Sequence, residues 1–178
     1  MIELLNRPLL GIAIVLILAF LDYPLTLIAQ NMYKNYMSRY VEYRALEGRR
    51  KPAFGILWFL IKIVIGLLLY GIWIIYYYGE LEIVGIFYLW LVGFAIGSYF
   101  IINLRHVESI LLSHLYRNTD SVQGNITYHS KISVKISAVQ FFSMFIIFCL
   151  FLIIAPGFFT LGLACAPLFL TARNLLLS

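Results

Sequence analysis

Four long apolar stretches, broken by few charges, organise this chain. Leu9 to Ala29 contains one charge, Asp22; Phe54 to Tyr77 contains only Lys62; Ile83 to Ile102 contains none. The fourth stretch, Ala138 to Ala172, runs 35 residues without a charge. A helix crosses the bilayer hydrocarbon with about 20 apolar residues, so the first three stretches each predict one span and the fourth is too long for one. Ala155-Pro156-Gly157 divides it, because proline cannot continue a helical hydrogen-bond ladder and glycine tolerates a tight turn. The pattern predicts an all-α, polytopic membrane helical bundle, one integral membrane domain over residues 1–178. It has about five transmembrane helices, near 9–29, 54–77, 83–102, 136–154 and 158–176, with cytoplasmic helical extensions. A single tilted helix with a re-entrant tail is the alternative for the last stretch.

Two connecting segments carry their own patterns. Tyr33, Tyr36, Tyr40 and Tyr43 recur at spacings of 3, 4 and 3, which on a helix puts the four rings on one face. The spacing predicts that the first helix leaves the membrane and stops near Gly48, with Pro52 beyond. Such a stripe serves either to pack against the protein's own second segment or the bilayer interface, or to receive a partner. The second segment begins as a helical extension carrying Val107, Ile110, Leu111 and Leu115, then turns through Asn118, Asp120 and Gly124. From Ile126 apolar residues alternate, which permits a short strand or a helix starting at Ser130. The helix is preferred, because a lone strand leaves its backbone groups unpaired.

Composition removes the soluble alternatives. Hydrophobic residues make up 63% and charged residues 12%, against about 25% charged in ordinary soluble domains. A soluble fold of this size could not hide so much apolar surface. The mean hydropathy of +0.94 agrees. A net charge of +5 does not point to nucleic acid, because the cations sit in particular loops. Lys34, Arg39, Arg44, Arg49, Arg50, Lys51, Arg105, Arg117, Lys131, Lys135 and Arg173 flank one side, and Arg7 alone the other. By the positive-inside bias the N-terminus lies outside and the C-terminus in the cytoplasm, as an odd number of spans in a cell membrane requires. Trp73, Tyr76, Tyr77, Tyr78 and Tyr88 gather toward the outer side, where amphipathic rings favour headgroup level. The first span lacks a cationic n-region and a cleavage pattern, so it is expected to be retained. Cys149 and Cys165 lie in apolar runs and form no metal or disulfide motif.

Chemistry is expected where ionisable groups enter the membrane, since each costs about 2.5–3.5 kcal/mol at mid-depth. Asp22 and Lys62 both lie roughly 12 Å from the inner face by helical rise, and an ion pair between them is expected. Asp22, Thr26 and Gln30 form an i, i+4, i+8 polar stripe that should face protein, with Pro24 within it freeing the carbonyl of Phe20. This polar set, with Lys62, suits a structural clasp, and it also suits an ion or proton path. Arg105, His106 and Glu108 are candidates at the cytoplasmic face. His106 and His114 are eight residues apart, not the i, i+3 or i+4 of a helical metal pair, and His129 lies further on. No metal, cofactor or catalytic motif is read in the chain. An enzyme acting on lipid would rest only on Asp22, Arg105 and His106. Gly93 and Gly97 form a small-xxx-small pattern for close helix approach, within one chain or between two.

Leu21-Asp22-Tyr23-Pro24-Leu25-Thr26-Leu27 with the tyrosine-rich segment after it, Leu104-Arg105-His106, and Val122-Gln123-Gly124-Asn125-Ile126-Thr127-Tyr128-His129-Ser130 leading into Ser137-Ala138 together resemble an uncharacterised family of small prokaryotic multi-pass membrane proteins. Where that family carries Glu-Leu-Asn-Pro, this chain has Glu47-Gly48-Arg49-Arg50-Lys51-Pro52. The resemblance implies architecture and a prokaryotic source, and it directs attention to Asp22, Thr26, Arg105 and His106 near the inner face. No activity comes with it.

Two functional classes follow. The first is a structural or interaction bundle with an Asp22–Lys62 clasp. It would meet the lipid bilayer, anionic headgroups at Arg49, Arg50 and Lys51, and a second copy or another membrane protein. The second is a small transporter, channel or ligand-binding protein using the polar stripe of the first span, with a flux or binding event lost in Asp22→Asn.

Overall fold

The structure is a computed structural model that describes residues 2–37, 41–42, 52–117, 126–127 and 130–176. A short α1 (Ile2–Asn6) leads into α2 (Pro8–Met32), followed by α3 (Pro52–Gly79), α4 (Glu82–Leu115), α5 (Ser130–Ile154) and α6 (Phe158–Leu176). The fold is an all-α bundle. The five long helices are each long and apolar enough to cross a membrane, over Pro8–Tyr36, Gly55–Gly79, Glu82–Leu115, Val134–Ile154 and Phe158–Leu176. Leu67, Leu68, Val139, Leu150 and Ile153 are exposed on α3 and α5. Such faces suit a hydrocarbon solvent, in which helices satisfy their own backbone groups.

The turns are tight. Only Glu80 and Leu81 join α3 to α4, with Glu80 at φ 51°, the left-handed conformation that often ends a helix. Ala155-Pro156-Gly157 separates α5 from α6, so the long last apolar stretch is a hairpin of two helices. There the Thr160 hydroxyl lies within donating distance of two carbonyls, Ala155 at 2.7 Å and Gly157 at 2.9 Å. Thr160→Val is expected to cost about 1 kcal/mol, the usual worth of such a bond. A melting curve in detergent, unchanged from that of the parent, would show the turn does not need this hydroxyl.

Contacts set the helix directions: Pro8 with Tyr88 and Asp22 with His106 make α2 and α4 parallel, Gly93 beside Phe159 and Gly97 beside Ala166 make α4 and α6 parallel, and the two tight turns make α3 and α5 oppose them. The central helix, α4, packs most extensively on α6 and α2. One apolar core joins Ile12, Val15, Leu69, Tyr88, Leu89 and Val92 across α2, α3 and α4. A second joins Ile101, Phe141 and Leu170 across α4, α5 and α6. The second lies nearer the end of the bundle where the basic segments attach, called here the basic face.

The basic face departs from the sequence pattern in two ways. Helical geometry does not run from Tyr33 to Gly48: α2 widens into a π-helical turn at Tyr33–Met37, and Val41–Glu42 forms a strand, β1. Of the four tyrosines, Tyr33 and Tyr36 fall within the π-helical turn. Tyr33 is 2% exposed, packed with Ala29 and against Ile110 of α4, and is not available to a partner. Tyr36 is half-buried, with the Arg117 guanidinium 6.0 Å from its ring. The second departure is that Ile126–Thr127 forms a strand, β2, in addition to the expected helix from Ser130. Its partner is β1, with Val41 opposite Ile126 and Glu42 opposite Thr127 in parallel. The unpaired-backbone objection to a strand fails because the first basic segment supplies the missing edge. Tyr40, Tyr43, Arg49, Arg50, Lys51 and His129 lie outside the described residues.

Candidate functional site

Asp22 and Thr26 continue an apolar stripe. The buried face of α2 is Pro8, Gly11, Ile12, Val15, Ala19, Asp22, Thr26 and Ala29, a helical repeat in which two polar residues replace apolar ones without leaving the face. That face meets α4 in a parallel register. Tyr88 Oη donates to the Pro8 carbonyl at 3.1 Å, and Asn103 Nδ2 to the Leu18 carbonyl at 2.7 Å. The second bond, one turn before Asp22, opens a polar junction between the two helices.

Its centre is Asp22, Thr26 and His106. His106 Nε2 lies 3.0 Å from Asp22 Oδ1 and 3.0 Å from Thr26 Oγ1. The Thr26 hydroxyl donates to the Asp22 carbonyl at 2.7 Å, one turn back, and its oxygen stands 3.4 Å from Asp22 Oδ1. An ionised carboxylate only accepts, so the consistent assignment puts the hydrogen of His106 on Nε2, shared between Asp22 and Thr26. Asp22 and Thr26 are buried, at 8% and 3% exposure. A charge-assisted bond in such surroundings is stronger than one in water.

Lys62 reaches the same junction from α3. Its ammonium donates to Tyr99 Oη at 2.7 Å and lies 4.3 Å from the Tyr99 ring centre and 4.8 Å from that of Trp58. Two aromatic faces in place of water are a way of holding a cation at membrane depth. Tyr99 and His106 stand on the same helix, α4, seven residues apart, so α4 carries both the Lys62 contact and the Asp22 contact. Gln30, one turn beyond Thr26, is half-buried.

No family model, curated protein or solved structure matches the chain. The chemistry of the junction is therefore read from its own residues. Among the described residues no three His, Cys, Asp or Glu side chains converge as a metal ion would need. A proton donor, a hydroxyl, a carboxylate and an ammonium within a few helical turns can bind a small polar species or tie three helices together.

The structure brings His106 to Asp22 and Thr26, while Arg105 and Glu108 line the α4–α5 side. Adjacent residues on a helix point about 100° apart, so Arg105 and His106 serve different neighbours. The Arg105 guanidinium sits 5.5 Å from the Phe141 ring centre, and Glu108 accepts a 2.8 Å bond from Gln140 Nε2. Two participants had no place in the sequence reading, Tyr99 and Asn103. Together with His106 they stand at i, i+4 and i+7, a polar stripe on α4 that matches the one on α2. Ending the third span at Ile102 hid it, because Asn103 and His106 were then assigned to a cytoplasmic helical extension and Tyr99 to the span.

Proposed function

We propose that the protein is a multi-pass cell-membrane protein, N-terminus outside and C-terminus in the cytoplasm, acting as a structural or interaction bundle locked by this junction. The eleven-to-one distribution of cations supports the orientation. One observation carries the functional reading. Asp22 is held within hydrogen-bond distance by His106 from another helix, while Lys62 from a third is bonded to Tyr99, two turns before His106 on α4. Polar groups so engaged have a structural reason to be in the membrane, since interhelical hydrogen bonds replace the hydrophobic force that lipid removes. In this reading an Asp22–Lys62 attraction, relayed past Tyr99, completes the clasp among α2, α3 and α4. Arg49, Arg50 and Lys51 add contacts with anionic headgroups.

The test is a double-mutant cycle of Asp22→Asn and Lys62→Met, read as thermal stability in detergent. Each single change is expected to destabilise, and the double to recover enough of the loss for a coupling of about 1 kcal/mol. Additive losses would remove the Asp22–Lys62 element of the clasp.

A second reading, a small transporter or ligand-binding bundle, is favoured by Asn103. Its Oδ1 is buried with no hydrogen-bond partner among the described residues, one turn from His106. An orphaned acceptor beside a carboxylate suits a small cation or a water in transit. Proteoliposome flux that is present in the parent and lost in Asp22→Asn, with stability retained, would select this reading.

A further inference from the structure

Away from the junction, α4 and α5 enclose a small cleft with a polar end and an apolar end. The two helices run in opposite directions, so residues late in α4 and early in α5 share the end nearest the basic face. At that end stand Arg105, Glu108 and Gln140. Deeper toward the bilayer centre the walls are Ile101, Leu104, Phe141 and Met144. A crevice between two membrane helices at the interface is filled by lipid, and the order of chemistry along this one is that of a phospholipid.

The geometry points to a site for one aminophospholipid molecule whose phosphate meets Arg105 and whose ammonium meets Glu108. Three observations carry this. First, depth: the apolar wall comes first, then Arg105, then Glu108 one helical turn further toward water, about 4.5 Å along the axis. An acyl chain, a phosphate and an ethanolamine nitrogen two carbons beyond it follow in the same order. Second, charge: a cation and an anion on one face complement a zwitterion, whereas the phosphate of an anionic lipid brings no cation for the Glu108 carboxylate. Third, capacity and positioning: the Phe141 ring and the Gln140 amide orient the two charges, at 5.5 Å and 2.8 Å. A guanidinium has five N–H donors and a carboxylate about four lone-pair sites, so both can serve a lipid in addition to their present contacts.

The experiment uses the full chain in detergent, with moderate salt to screen long-range attraction to the basic face. Retention of phosphatidylethanolamine, phosphatidylglycerol and phosphatidylcholine is followed by native mass spectrometry, with acyl-free glycerophosphoethanolamine as a fourth probe. Phosphatidylethanolamine is expected to be retained above the others. Arg105→Gln should weaken its retention about tenfold, the worth of a bond to a charged group. Glu108→Gln should let phosphatidylglycerol bind as well as phosphatidylethanolamine. Leu104→Trp, at an exposed position, fills the cleft without altering either charge, and should lower retention even if Arg105→Gln fails to fold. Equal retention of all headgroups, preference for phosphatidylglycerol in the parent, or equal binding of the acyl-free probe would each overturn the assignment.

Discussion

Gly162→Leu is expected to abolish the folded bundle, and Gly93→Leu to do the same. The α4–α6 contact is made backbone to backbone at these two positions. A Cβ on Gly93 would collide with the Phe159 carbonyl oxygen, and one on Gly162 with the Trp90 carbonyl oxygen. Neither obstacle is the end of a flexible side chain that could swing away, so the helices must separate. In lipid, close packing of small residues is what holds helices together, and separation forfeits it along the whole contact. Even alanine at either position should cost about 3 kcal/mol, the upper end of ordinary overpacking. Gly71→Ala is the control: nothing stands within 4 Å of its new Cβ, and alanine is the better helix former by about 1 kcal/mol. Its melting temperature in detergent should equal or exceed that of the parent, while Gly162→Ala falls well below. Equal melting of the two alanine variants would mean that α4 and α6 are not in this contact. Gly97 extends the same seam: a Cβ added there would stand 3.0 Å from the Leu163 carbonyl oxygen. That carbonyl is one freed by Pro167 four residues on, and a glycine Cα–H is able to approach it.

His106→Leu is expected to give the largest loss among the polar positions, about 3 kcal/mol. Removing the imidazole takes from Asp22 its donor on α4 while leaving the carboxylate buried, and breaking a buried pair from one side is the costly direction. Thr26→Val should cost about 1 kcal/mol, because the hydroxyl's short bond goes to a carbonyl one turn back in its own helix. The ranking is the informative part: His106→Leu well below Thr26→Val in melting temperature supports the clasp. If His106→Leu melts like the parent, the junction is not what holds α2 to α4. The orphaned Asn103 carbonyl and a flux assay would then become the next subject.

The unequal legibility of this chain has a physical origin. The five long apolar helices, the hairpin at Ala155-Pro156-Gly157 and the helix beginning at Ser130 were all readable. Each depends on a local balance, apolar length against hydrocarbon thickness or a proline against a helical ladder. The same locality exposed Asp22, Thr26 and Lys62, since a polar residue within an apolar run stands out wherever it points. It failed for the tyrosine segment, where a helical spacing survives in the sequence but the backbone widens at Tyr33 and turns extended at Val41–Glu42. The strand there exists because Ile126–Thr127, more than eighty residues away, offers the complementary edge.

Partnerships were the part that composition and periodicity could not supply. Every face of an apolar helix is equally at home in lipid, so hydropathy says nothing about which side of α4 meets α2 and which meets α6. That choice came from Gly93 seating on α6, and from Tyr88, Asn103 and His106 meeting Pro8, Leu18 and Asp22 in one parallel register. Span number is a property of each segment against its solvent. The carboxylate–imidazole contact joins two residues eighty-four positions apart on different helices, and arises only when their packing sets the register between them.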